Sequence, residues 1–273
     1  YGICGAIVPW NFPMITAAWK FAPALAAGNA VVMKTSELTP HSLLALAECA
    51  AEAGLPGGLL NVLNGWGHTT GAAIVAHPDI GIVSFTGSTK TGAAVMTLAA
   101  QSGIKPVVLE LGGKSPQIVT RDPGDMDAVA TRVANAFMVN AGQVCTLASR
   151  LIVDRSVADE LVDRVLARTK EIKAGPTWDE ATTFAPVISA RQFERIDTLV
   201  QETVKQGAEV LTGASRLEGP NQGNFYAPTV LANVSRANIG FTEEYFGPVM
   251  SVATYDEIEE AIAEAQHPIY GLA

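Results

Sequence analysis

A chain of 273 residues, 48% hydrophobic and 16% charged, has material for two α/β domains or one large one, and its composition excludes intrinsic disorder. A net charge of −9 without any lysine or arginine cluster argues against nucleic acid as a partner. Three cysteines cannot form a disulfide framework and point to a reducing compartment, read as the cytoplasm. Four scattered histidines lack metal-ligand spacing, no apolar run approaches a membrane span, and no stretch has the form of a signal peptide.

The chain opens on "YGICGAIVPWNFP", already at strand density, and ends on "YGLA", which predicts an internal portion of a longer protein. "GAIVPW" reads as a first strand, and residues Met14 to Ala27 as a helix that Pro23 should bend or interrupt. "NAVVMK" is the next strand. A helix follows with Thr39 as N-cap, Pro40 at its first position and Gly54 as its stop. Leu43, Leu46, Ala47 and Ala50 share one face of it, and Cys49, beside that face, is expected in the core. Strand "LLNVLNG", a helix from His68 to Ala76, strand "GIVSFTG", a helix from Thr89 to Gln101 and strand "PVVLELG" continue the alternation. Apolar strands alternating with helices predict a doubly wound parallel sheet with ligands beyond the strands' carboxyl ends.

Beyond Gly112 the pattern changes, predicting a second α/β domain over 112–273 after a first over 1–111. "SPQIVT" is a strand, and a helix from Asp125 to Asn140 carries Val129, Val133, Phe137 and Asn140 on one face. Strand "SRLIVD", charged helices at Val157–Lys173 and Gln192–Gln206, and strands "AEVLTG", "FYAPTVL" and "VMSVATY" follow, with Leu217 to Gly223 as a polar loop.

Several short stretches could carry chemistry. In "SFTGSTKTG" a strand runs into a helix through Gly87 and Ser88, and helix-start amides suit a pyrophosphate, although the spacing is not that of a dinucleotide fingerprint. "GKS" at Gly113 resembles the end of a phosphate-binding loop, but Val108 stands where that motif needs glycine. Glu110 interrupts an apolar strand. A carboxylate there is either salt-bridged or a general base with raised pKa. "PWNFP" holds Asn11 between rigid neighbours, as a turn residue or as an oxyanion donor. Lys34 and Glu37 in "KTSE" follow the second strand at the edge where a nucleotide would lie. Cys145 in "GQVC" is either a buried small hydrophobe or a nucleophile.

The ordered set "PWNFP", "KTSE", "FTGST", "LELGGKSP", "GQVC", "EEYFGPV" and "YGLA" resembles the NAD(P)-dependent aldehyde dehydrogenase superfamily over the whole chain. The resemblance implies a partial NAD-binding domain at 1–111 and a partial catalytic domain at 112–273. It implies Cys145 as nucleophile, Asn11 and the Cys145 N–H as the oxyanion hole, Glu110 as the base that activates water, and Lys20 on the proton path. Lys34 and Glu37 would contact the adenosine ribose, Gly67 the adenine, Gly87 and Ser88 the pyrophosphate, and Glu244 and Phe246 the nicotinamide half. Val8, Pro9, Trp10 and Leu111 would complete the cofactor contacts, and Phe12, Trp19, Val144 and Thr146 would line the aldehyde tunnel. NAD is the expected cofactor, because Glu37 should repel the extra phosphate of NADP, although some members accept both. The full-length protein should be a homodimer or homotetramer. "KTSE" departs from the commoner K-P-S-E, and Tyr245 replaces an aliphatic residue.

Two rival readings stand beside this one. A coenzyme A-acylating relative often lacks the glutamate base, so Glu110 favours hydrolysis; an inactive relative or fragment would not need Cys145, Asn11 and Glu110 together. On the leading reading, the Asn11 amide, the Cys145 sulfur and the Cys145 N–H should converge on one cavity, with Glu110 in the same cleft.

Overall fold

The computed structural model describes residues 1–218 and 223–272; the middle of the predicted loop Leu217–Gly223 and Ala273 of "YGLA" lie outside the described residues. The chain divides into two units, Tyr1–Leu111 and Gly112–Ala273.

The first unit is built on five parallel strands: β1 (Ile3–Ile7), β2 (Ala30–Lys34), β3 (Leu60–Leu63), β4 (Ile80–Thr86) and β5 (Val107–Glu110). Their order is β3-β2-β1-β4-β5, so the chain starts in the middle and winds outward in both directions. Because side chains alternate along a strand, Ala6 and Val8 pack with Ala17 of α1 (Pro13–Ala26) and Leu43 of α2 (His41–Glu52). Ile7 instead joins Val75 of α3 (Ala72–Ala76) and Val95 of α4 (Thr89–Gln101) on the other face. Both faces are covered, which is why the strands read as unbroken apolar runs.

Local chemistry refines several boundaries. Helix α1 runs through Pro23 without interruption. Pro23 lies in its last turn, so little ladder remains for it to break. Helix α2 begins one residue later than expected, with Pro40 at the cap; the Thr39 hydroxyl donates instead to the Trp10 carbonyl at 3.4 Å. Its end is a Schellman motif, in which Gly54 (φ +88°) donates to Ala51 O and Leu55 to Ala50 O. The helix expected from His68 begins as a wide turn, Gly67–Gly71, before α3. Two expectations fail. Cys49 is exposed, one step beyond the face that Leu43 buries. Glu110 does not sit in a buried strand, because β5 is the sheet's edge, with Val108 half exposed and Glu110 exposed.

The second unit holds β6 (Pro116–Val119), β7 (Arg150–Asp154), β8 (Glu209–Thr212), β9 (Thr229–Ala232) and β10 (Val249–Tyr255), in the order β6-β7-β10-β9-β8. All pairs are parallel except β8 with β9. Leu151 and Val153 of β7 pack on α5 (Met126–Met138) and α6 (Arg155–Thr169) through Val133, Phe137 and Leu161. A fully buried side chain such as Phe137 contributes about 1.5–3 kcal/mol. A separate cluster joins Phe193, Ile196 and Val200 of α7 (Ala190–Lys205) to Tyr226, Leu231, Tyr245 and Val249. Asp125, Asp154 and Ser189 cap α5, α6 and α7 with side-chain acceptors, each worth about 1 kcal/mol.

Asn140 leaves the expected face of α5, because the helix stops at Met138. The strand expected over "FYAPTVL" shortens to its end, since Pro228 has no N–H for the ladder. Two helices escaped the sequence reading, the single turn α8 (Ile239–Thr242) and α9 (Ile258–Ala265).

Candidate active site

Parallel strands deliver their carboxyl ends to one edge, and in the first unit that edge gathers most of the singled-out residues. After β1 the chain passes through Val8, which is buried and donates to Lys34 O, then Pro9, Trp10 and Asn11, all half-buried, to Phe12 at the start of α1. The Thr16 N–H and hydroxyl both donate to the Phe12 carbonyl and so fix how α1 begins. Trp19 is 63% exposed on the same helix. At the end of β2, the buried Lys34 ammonium donates to the Glu37 carboxylate at 3.1 Å and to Thr35 O at 2.8 Å, leaving Glu37 at the surface. A Cβ added at Gly67 would meet nothing, so its backbone faces open space.

Ser88, after β4, caps α4 by accepting from Thr91 N at 3.3 Å, and Gly87 donates to Glu110 O at 3.0 Å. Gly92 serves packing: a side chain there would collide with Leu111. Lys20, nine-tenths buried on α1, donates to the Thr86 hydroxyl at 2.7 Å, and Thr86 pairs in register with Glu110. Burial lowers the Lys20 pKa to about 8, and the nearby Glu110 charge partly offsets that fall. Lys20, Thr86 and Glu110 therefore form one cluster at the ends of β4 and β5. Thr86 was missed in the sequence, although a lysine buried on a helix requires a polar partner.

In the second unit three sequence motifs meet. After Val139, Asn140, Ala141 and Gly142 all take left-handed backbone conformations (φ 51°, 52° and 72°) and turn the chain toward Cys145. Gly142 passes so close to Gly247 and Pro248 that a side chain would overlap their backbone. Gly113 lies against the Cys145 carbonyl, and Gly112 against the Glu244 carboxylate, again with no room for a Cβ. Gly113 N donates to Glu244 Oε1 at 3.3 Å. The "GQVC" turn thus packs backbone to backbone against both "LGG" and "EEYFGPV", while the Glu244 side chain joins "LGG" to "EEYFGPV", which explains three of the glycines. Cys145 and Val144 are half-buried, Thr146 is exposed, and no cysteine is in a disulfide.

Helix α7 holds the Glu244 segment from outside. Arg195 donates to Glu244 O at 2.9 Å and to Tyr245 O at 2.8 Å, while Gln192 donates to Phe246 O at 2.8 Å. Phe246 itself has φ 52°. Burial raises the Glu244 pKa to about 7, countered by the Gly113 N–H. Lys114 of the false phosphate motif is fully buried, donating to Gly240 O and Glu243 O with its ammonium 4.8 Å from the Tyr245 ring centre. Its pKa falls to about 7, chiefly through burial. Gln192 and Arg195 also escaped the sequence reading; their three-residue spacing on an amphipathic helix was the available signal.

Among the described residues, no group of three or more His, Cys, Asp or Glu is placed to hold a metal, and no helix is long and apolar enough to cross a membrane.

Comparison with known proteins accounts for this arrangement. The sequence profile of the Aldehyde dehydrogenase family matches residues 1–273. The chain is 44% identical over 272 residues to an aldehyde dehydrogenase-like protein of Schizosaccharomyces pombe, covering 100% of this chain and 54% of the relative. It is 44% identical over 271 residues to the peroxisomal aminoaldehyde dehydrogenase 1 of Malus domestica, covering 99% and 54%. Its fold superposes with a TM-score of 0.95 on the crystal structure of an indole-3-acetaldehyde dehydrogenase complexed with NAD+, at 42% identity, covering 98% of this chain and 54% of that one. The chain therefore spans about half the length of the relatives it matches. The seven ordered motifs, both sheets and these relatives lead to one conclusion: the chain belongs to the aldehyde dehydrogenase family.

Proposed function

We propose that the full-length protein oxidises an aldehyde to a carboxylate, using NAD and a covalent intermediate on Cys145. The observation that carries this reading is the close packing of the "LGG" and "EEYFGPV" turns on the Cys145 segment, backbone against backbone at Gly113 and Gly142 and through the Glu244 carboxylate at Gly112. A buried structural cysteine needs no such convergence.

The first unit suits a dinucleotide. Its strand order reverses at β1, the Ser88-capped start of α4 presents amides to a pyrophosphate, and Gly67 leaves its backbone open. The Lys34 and Glu37 pair offers a donor and an acceptor to ribose hydroxyls, and Glu37 would repel the extra phosphate of NADP. Val8, Pro9, Trp10 and Leu111 would complete that surface, with Glu244 and Phe246 for the nicotinamide end. NAD, when bound, supplies the hydride acceptor.

The chain's own residues supply the rest. The Cys145 thiolate attacks the carbonyl carbon; a carbon–sulfur bond forms, and the carbonyl oxygen becomes an oxyanion that the Asn11 amide and the Cys145 N–H stabilise. Loss of hydride leaves a thioester on the sulfur. Glu110 takes a proton from water, the water oxygen bonds to the acyl carbon, and the sulfur departs as thiolate. Lys20, hydrogen-bonded to Thr86 and close to the Glu110 charge, passes the proton onward. The presence of Glu110 favours hydrolysis over transfer to coenzyme A. Phe12, Trp19, Val144 and Thr146 would line the aldehyde's path, and the exposure of Trp19 and Thr146 leaves them available for it.

The domain roles follow: cofactor binding in 1–111 and covalent chemistry in 112–273. A homodimer or homotetramer in a reducing compartment completes the proposal, either the cytoplasm or the peroxisome of the apple relative's name. The test is NADH formation by the full-length protein against aliphatic, aromatic and amino aldehydes, with NAD and then NADP. A Michaelis constant lower for NADP than for NAD would contradict the role of Glu37.

A further inference from the structure

The three successive left-handed residues before Cys145 need an explanation that the reaction scheme does not supply. For L-residues other than glycine, that conformation costs about 1–2 kcal/mol each, and Asn140 and Ala141 adopt it side by side. Such a turn persists only where its surroundings over-determine it.

Gln143, 4% exposed, is the surrounding group that does so. Its Nε2 donates to Asn140 O at 2.9 Å, and its backbone N–H reaches the same oxygen at 3.1 Å. The Asn140 side-chain amide donates in return to Gln143 O at 3.3 Å, so the two residues clasp the turn from both sides. The other end of the Gln143 amide faces outward from the turn: Oε1 accepts from Ile188 N at 2.8 Å, just before the cap of α7. The partners fix the amide's orientation, since a carbonyl requires the NH2 group and an N–H requires the oxygen. Ala141 beneath it is buried in the cluster built on α7.

From this geometry we infer that Gln143 is the positioning residue of the nucleophile: it locks the left-handed turn and thereby fixes the direction in which Cys145 leaves it. The inference rests on the reading of Cys145 as nucleophile. Gln143 itself acts only through the turn. Removing the lock should let Asn140 and Ala141 relax toward ordinary backbone angles and swing the sulfur out of line, leaving the cofactor residues of the first unit untouched.

The test uses the full-length enzyme and two variants. Gln143→Met keeps the length and removes both polar contacts. Gln143→Glu keeps an acceptor for Ile188 N and sets an oxygen against Asn140 O. Both should lower kcat about 10- to 100-fold, because small misplacements of a reacting group cost that much. The Michaelis constant for NAD should stay within about threefold of the parent. Adding Ala141→Gly to Gln143→Met should recover part of the lost kcat, since glycine holds a positive φ without steric cost. A role in fold stability alone, or in touching substrate, would show no such rescue. If Gln143→Met does not fold, Gln143→Glu carries the comparison. A folded variant with kcat within about twofold of the parent overturns the lock. Cys145→Ala separates the two levels. Parental turnover in that variant discredits the nucleophile, whereas its inactivity beside fully active Gln143 variants discredits the lock alone.

Discussion

The two units present their functional residues by different means. In Tyr1–Leu111 the strands do the positioning: Lys34 and Glu110 end strands, Asn11, Gly67 and Ser88 follow them, and the parallel sheet aligns them. In Gly112–Ala273 the residues of interest lie on turns, held by side chains that reach across the sequence to main-chain atoms. Gln143 reaches Ile188, Arg195 and Gln192 reach Glu244 to Phe246, Lys114 reaches Gly240 and Glu243, and Arg150 donates to Glu264 O and Ala265 O at the end of α9. A sheet edge tolerates a change at one residue. A turn clasped by one buried amide does not.

The contrast predicts that the largest effect of a one-methyl change falls in the second unit. Gly142→Ala places a Cβ into the backbone of Gly247 and Pro248 at φ 72°, and should cost about 3 kcal/mol or more. Adding a methyl at Gly67, where nothing lies within reach, should leave stability within about 0.5 kcal/mol. Chemical denaturation of both variants checks the pair.

One buried group from each unit, Lys20 and Glu244, should respond to pH with opposite signs. Lys20 binds its proton more weakly folded than unfolded, so both states are protonated below about pH 8 and the folded state gives its proton up first. Its contribution therefore raises stability as pH climbs from about 8 to 10.5, by at most about 3 kcal/mol. Glu244 binds its proton more tightly folded than unfolded. Its contribution is present at acid pH and is lost as pH rises from about 4.5 through 7. Denaturant midpoints across both windows should show a shallower first slope in Lys20→Met, where the buried Lys114 still contributes, and lose the second slope in Glu244→Gln.

How much of this was legible follows the same division. The strand-end residues of the first unit could be placed from the sequence because period and turn chemistry are local. Helix α4 and strand β10 were bounded as found. Glu110 was misjudged because edge or centre is decided by sheet order, which no single strand encodes. Cys49 was misjudged because a face one residue wide can be lost to a small rotation of the helix. The Gln143 clasp of the second unit was invisible, since Gln143 and Ile188 are 45 residues apart and neither shows a periodic signal. Helix α9 had a readable start in Glu257 and Glu260, which form a reciprocal cap.

Smaller effects test the first unit in detail. Thr86→Val deprives the buried Lys20 ammonium of its hydroxyl partner and should cost about 1–3 kcal/mol, measurable as a lower midpoint at pH 7 that recovers toward pH 10. Cys49→Ser should change stability by less than about 0.5 kcal/mol, as befits an exposed position.

The most direct measurement is a single-turnover assay of the full-length enzyme and its Cys145→Ala variant with NAD and a reactive aldehyde. The parent should form NADH in a first-turnover burst, and Cys145→Ala should form none while still binding NAD. A burst of parental size from Cys145→Ala would contradict the assignment of the nucleophile, and with it the proposed covalent route.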